Sequence, residues 1–100
     1  MRKSGHSEGK FEEFDDVWQA LEFSPQEAAN LRARSALMTQ IEAIIKQQHW
    51  TQSEAAKQCG VSQPRINELL RGRISKFSLD ALVKIATALG RKVRIEIEAA

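Results

Sequence analysis

The chain has 100 residues, 42% of them hydrophobic, and 15 Lys and Arg against 13 Asp and Glu give it a formal net charge of +2. This composition points to one small globular domain with a single core and excludes a disordered chain. No apolar run approaches the roughly 18 residues that span a bilayer, the N-terminus has no secretory apolar stretch, and the lone Cys59 excludes an intrachain disulfide and suits a reducing cytoplasm.

Residues 1–10 (MRKSGHSEGK) have no apolar residue after Met1 and are expected to form a flexible leader. In the next segment, 11–30, Phe11, Phe14, Val17, Trp18 and Leu21 recur at helical spacing. From Phe11 to Glu27 this segment carries Glu12, Glu13, Asp15, Asp16, Glu22 and Glu27 and no cation. Two destinations for the aromatic stripe stay open: the chain's own core, or a partner protein whose basic surface meets the acids. Ser24, Pro25 and Glu27 then spell a capping box with proline at the first helical position. The long helix they open carries Leu31, Leu37, Met38, Ile41, Ile44 and Ile45 and ends near Gln48. Trp50 is expected in the core.

Thr51 and Glu54 spell a second capping box, for a helix with Ala55, Ala56 and Cys59 inward. Gly60 supplies the left-handed turn that follows. Ser62 caps the helix Gln63 to Leu70, whose inward residues are Ile66, Leu69 and Leu70, and Gly72 stops it. Ser78 caps a further helix with Leu79, Leu82, Val83, Ala86 and Leu89 inward, ended by Gly90. In the tail, Val93, Ile95 and Ile97 alternate with Arg94, Glu96 and Glu98, the period of an amphipathic strand. The expected fold is all-α, with about five helices and one C-terminal β-strand, and residues 31–90 as the central domain between the 11–30 segment and a 91–100 tail.

Thr51 to Gly72 (TQSEAAKQCGVSQPRINELLRG) carries the chemistry. Two short capped helices joined by a tight turn at Gly60-Val61 make a helix-turn-helix, in which the first helix crosses the DNA backbone and the second enters the major groove. With Ile66, Leu69 and Leu70 buried, Pro64, Asn67, Glu68 and Arg71 point outward and Gln63 and Arg65 flank them. Gln63 and Asn67 have the donor–acceptor pair that matches adenine, Arg65 matches guanine, and Glu68 accepts from cytosine. Pro64 takes a first-turn position that tolerates it but brings no hydrogen-bonding side chain. Thr51, Gln52 and Ser62 at the helix starts and Arg71, Arg73 and Lys76 beyond them suit phosphates, and add affinity without sequence information.

This stretch resembles the lambda-repressor-like (Xre) helix-turn-helix family. The likeness rests on Gln52, Ala55-Ala56, Gly60-Val61-Ser62, Gln63 and Gly72, and extends over about Leu31 to Gly90. It implies that Gln52 braces a phosphate contact and that Gln63 reads a base. Pro64 departs from the usual pattern. With FSPQEAANLRARSALM before the motif and SLDALVKIATALGRKVRIEIE after it, the chain looks like the HigA-like antitoxins of type II toxin–antitoxin operons. That resemblance implies a repressor of its own operon and a toxin ribonuclease as partner, met by Phe11, Phe14, Trp18 and Leu21. A stand-alone Xre-type or phage-type regulator is the alternative.

The strand has no second strand in the chain to pair with. An antiparallel pair with a second copy through Val93, Arg94, Ile95, Glu96 and Ile97 is therefore expected to form a homodimer on a palindromic double-stranded operator. His6 and His49 lack clustered ligands, so no metal or other cofactor is expected. Without a nucleophile motif or phosphate loop, the chain reads as a cytoplasmic DNA-binding regulator and not as an enzyme.

Overall fold

The computed structural model describes residues 24–99. The leader and the stripe of Phe11, Phe14, Val17, Trp18 and Leu21 lie outside the described residues.

Four α-helices and one short turn make up the described fold: α1 (Pro25–Gln48), α2 (Gln52–Cys59), α3 (Gln63–Leu70), a 3-10 turn (Ile74–Lys76) and α4 (Leu79–Ala88). Their boundaries follow from local chemistry. Ser24 Oγ accepts the Glu27 amide at 3.1 Å while the Ser24 amide donates to Glu27 Oε1 at 3.0 Å, closing the capping box that opens α1. At its other end the chain turns through His49, whose φ of 58° makes it the one described non-glycine residue in left-handed backbone. Ser78 Oγ accepts from the Ala81 amide at 3.1 Å and starts α4.

The helices bury one contiguous core. Met38, Ile41 and Ile45 come from α1; Ala55, Ala56 and Cys59 from α2; Ile66 and Leu69 from α3; Leu82, Ile85 and Ala86 from α4. Ile74 and Phe77, from the turn between α3 and α4, complete it. Trp50 and Val61 pack against its edge. Helix α1 lies along α4, while α2 and α3 pack on each other and rest on α1 and α4. The long helix and α4 thus form the floor on which the α2–α3 pair stands.

Two expectations need correction. The described residues hold four α-helices, not five; the remaining expected helix falls on residues 11–21, outside them. Among the described residues no β-strand forms: residues 91–99 have no regular secondary structure. Val93 is half-buried against the core, but Ile95 is 72% exposed and Ile97 97% exposed. Arg94 Nη2 lies 3.4 Å from Glu96 Oε2 of the same chain, so these two charges pair within the tail. The physical reason is that alternation sets which side chains share a face, whereas a strand exists only where its backbone finds a neighbouring ladder. The described chain offers none, and the proposed pairing through Val93, Arg94, Ile95, Glu96 and Ile97 loses its basis.

Candidate nucleic-acid interface

The α2–α3 pair is fixed from both ends. Thr51 Oγ1 accepts the Glu54 amide at 3.1 Å, and the Thr51 amide donates to Glu54 Oε1 at 2.9 Å. At the far end of α2, Gly60 adopts φ 73°. There the Val61 amide donates to the Ala56 carbonyl at 3.1 Å and the Gly60 amide to the Lys57 carbonyl at 3.3 Å. This crossed pair of bonds is a Schellman ending, which satisfies carbonyls that the helix leaves open. A Cβ on Gly60 would meet nothing within 4 Å, so the demand for glycine there is conformational, not steric. Two residues on, Ser62 Oγ accepts the Arg65 amide at 3.3 Å and opens α3. The residues between the helices are thus too few and too constrained to let their mutual angle drift.

Ile66 and Leu69 are fully buried under α3, which sets the rotation of that helix. At about 100° per residue, Gln63, Asn67, Arg71 and Pro64 then share an arc of about 100° on the opposite side. Gln63, Pro64 and Arg71 are exposed, and Asn67 and Glu68 are half-buried. Neither the Gln63 nor the Asn67 amide bonds to any group among the described residues, so both keep a full donor–acceptor pair for an outside partner. No acidic residue sits in the first turn of α3, which leaves its positive dipole end uncompensated. Thr51, Gln52 and Ser62, all exposed, stand at the helix starts. There the Gln52 and Gln63 amides have no intrahelical acceptor and are available to anionic oxygen.

Beyond α3 the chain is clamped. Gly72, at φ 74°, ends the helix with a second Schellman pair: the Arg73 amide donates to the Glu68 carbonyl at 3.1 Å and the Gly72 amide to the Leu69 carbonyl at 2.9 Å. Two arginines then hold the 3-10 turn. Arg34 Nη1, from α1, donates to the carbonyls of Ile74 (3.1 Å) and Phe77 (3.2 Å), and its Nε donates to Asn30 Oδ1 at 2.8 Å. Arg65 Nη1 donates to the Lys76 carbonyl at 3.0 Å and lies 3.6 Å from Glu68 Oε1, with the guanidinium 4.4 Å from the centre of the Phe77 ring. Arg65, a base-reading candidate by sequence, thus has its guanidinium turned to the chain's own turn. Arg73 is half-buried and Lys76 exposed on the segment so held.

The structure therefore brings Gln63, Pro64, Asn67 and Arg71 onto one side of α3, ties Arg65 to Glu68, and anchors the segment bearing Arg73 and Lys76. Sequence reasoning missed Arg34. Its partners lie 40 and 43 residues away, and no local pattern encodes such a contact. Cys59 is buried, and desolvation pushes its thiol above the usual 9.0, as befits a small core residue. Among the described residues no three His, Cys, Asp or Glu gather as a metal site, and no helix is long and apolar enough to cross a membrane.

A family model for a helix-turn-helix domain matches residues 20–98. No curated protein matches the chain.

Proposed function

The chain belongs to the helix-turn-helix domain family, and we propose that it is a sequence-specific transcriptional repressor whose α3 enters the major groove while α2 crosses the backbone. The observation that carries this reading is the outward arc of α3, where Gln63 and Asn67 keep amides free of any partner among the described residues. Those two residues read adenine edges. The exposed ring of Pro64 meets an apolar feature such as the thymine methyl, and Glu68 accepts from cytosine. Thr51, Gln52, Ser62, Arg71, Arg73 and Lys76 contact phosphates and set register and affinity. We assign Arg65 to positioning: it holds the turn that carries Lys76. A palindromic operator is met by two copies related by a two-fold axis, so the proposed reading keeps a homodimer in the cytoplasm, through a face other than a 91–99 strand, and it includes neither an enzymatic activity nor a cofactor.

The finer reading is that of a type II antitoxin that represses its own operon and neutralises a toxin ribonuclease. It is supported by the resemblance of residues 23–98 to HigA-like antitoxins and by the acidic, aromatic run from Phe11 to Leu21, which suits the basic surface of a nucleic-acid-cutting partner.

The test is a titration at several salt concentrations. Gln63→Ala weakens operator binding by about 1–3 kcal/mol and leaves random duplex nearly untouched. Arg73→Ala weakens both and lowers the salt slope by about one. Equal loss on both duplexes from Gln63→Ala removes that residue as a base reader. For the antitoxin reading, deletion of residues 1–21 is expected to abolish growth rescue from the co-encoded toxin while most operator binding stays. Unchanged rescue places the toxin contact elsewhere.

A further inference from the structure

The face of α1 turned away from the reading helices carries a groove of about 710 Å³, floored by Ala33, Ala36, Leu37 and Ile44 of α1 and walled by Val93 and Ile95 of the tail. None of its lining comes from α2 or α3. Ala33, Ala36 and Ile95 are exposed, so apolar surface faces water along this groove. Its rim is cationic: Arg91, Lys92 and Arg94 line it.

We propose that this groove is the docking site of the chain's own residues 11–21. Three observations select that occupant. The first is charge. Between Phe11 and Phe23 the chain carries Glu12, Glu13, Asp15, Asp16 and Glu22 and no cation, the complement of the rim's Arg91 and Lys92, beside which Arg94 is paired with Glu96. A second copy brings another such rim and meets it with like charge. The second is pattern. At about 100° per residue, Phe11, Phe14, Val17, Trp18 and Leu21 fall within an arc of about 120°, with Glu13 at one border and Asp15 and Glu22 at the other. An apolar ridge flanked by acids fits an apolar trough flanked by bases.

The third is reach. Ala33 lies eight residues into α1, about 12 Å from Pro25, and an 11-residue helix is about 16 Å long. Residues 22–24 suffice to reverse the chain. Phe14 and Phe11 then come level with Ala33 and Ala36, whose small side chains admit close helix approach. A partner protein that takes the same aromatic face has to pull it out of the groove first. This docking holds whether or not α3 reads DNA.

Cross-linking in the full chain tests the proposal. In a Cys59→Ser background, Phe14→Cys with Ala33→Cys is expected to oxidise to a disulfide within one chain, seen as faster migration without reductant. Phe14→Cys with Gln58→Cys, on exposed α2, is expected not to. A cross-link only between chains, or equal yields from both pairs, overturns the proposal. A second readout avoids those cysteines. With Trp50→Phe, Trp18 is the sole indole, and its emission is expected to be blue-shifted and several-fold less quenched by acrylamide than free tryptophan. Ala36→Glu, or Arg91→Glu with Arg94→Glu, is expected to reverse both effects at unchanged helical content. A Trp18 fully open to quencher in the parent chain, or one that ignores both variants, refutes the docking.

Discussion

Replacing Arg34 with Met removes three donated hydrogen bonds while keeping most of the aliphatic stem that packs under them. Two of the lost bonds, to the Ile74 and Phe77 carbonyls, are partly buried, and the third, to Asn30, is exposed. Bonds from a charged donor contribute about 1.5–3 kcal/mol when well shielded and less when water can replace them. At about 1 kcal/mol for each carbonyl and about 0.5 for Asn30, Arg34→Met costs about 2.5 kcal/mol. For a domain of this size 1 kcal/mol moves the melting temperature by about 4–8 °C, so thermal unfolding followed by circular dichroism should fall by about 10–20 °C.

Arg65→Met loses one bond to Lys76, the ion pair with Glu68 and the contact with the Phe77 ring, together about 1.5 kcal/mol. Both arginines grip one turn. Once either is gone the turn is loosened, and the double variant should cost less than the two losses added, by about 0.5–1 kcal/mol. A melting temperature within about 2 °C of the parent for Arg34→Met would show that the turn stands on Ile74 and Phe77 alone. Strict additivity would show that the two arginines hold independent things.

Gly60→Ala forces a side chain into left-handed backbone and should destabilise by about 1 kcal/mol, read by urea unfolding, with no steric surcharge because the site is open. Cys59 should resist iodoacetamide at about pH 8 in the folded chain and react fully once denatured, since burial raises its thiol above the usual value. The same shift sets a sign for stability. Burying the neutral thiol contributes fully below the free value, and that contribution is lost as pH rises through the folded one, so denaturation midpoints should fall on the alkaline side. Leu69→Ala, at a fully buried position under α3, should cost about 2–5 kcal/mol and abolish operator binding at temperatures where the parent is folded.

The capped helices were readable because their signals are local. Ser24 with Glu27 and Thr51 with Glu54 are boxes four residues long, and both close as hydrogen-bonded pairs. Ala55, Ala56 and Cys59 are small residues at helical spacing, and all three are buried. Ile74 and Phe77 escaped notice although Phe77 is among the most buried large side chains, because a turn has no period to betray which residues face in. Ile85 was passed over on α4 for Val83, which is only half-buried. The side of α3 turned outward follows from Ile66 and Leu69. The turning of Arg65 toward Lys76 and Phe77 depends on a segment that comes back from eleven residues away. The tail misled for the opposite reason: its alternation is real in the sequence, but a ladder needs a partner strand that the described residues do not contain.

Helix α4 lies against α1, so the two ends of the described fold come together beneath the α2–α3 pair that lies between them in sequence. A ribosome releases α1, α2 and α3 first and the other half of their support, the 3-10 turn and α4, last. A nascent chain that stops at Leu70 holds every base-facing side chain but lacks Ile74, Phe77 and all of α4, and with them the carbonyls that Arg34 grips. Such a chain keeps the α2–α3 turn but lacks the half of the core that Ile74, Phe77 and α4 supply. On the proposed function, competence for an operator is expected to arrive only once α4 has been made, and a chain stopped at Leu70 is expected not to compete with finished protein in a gel shift.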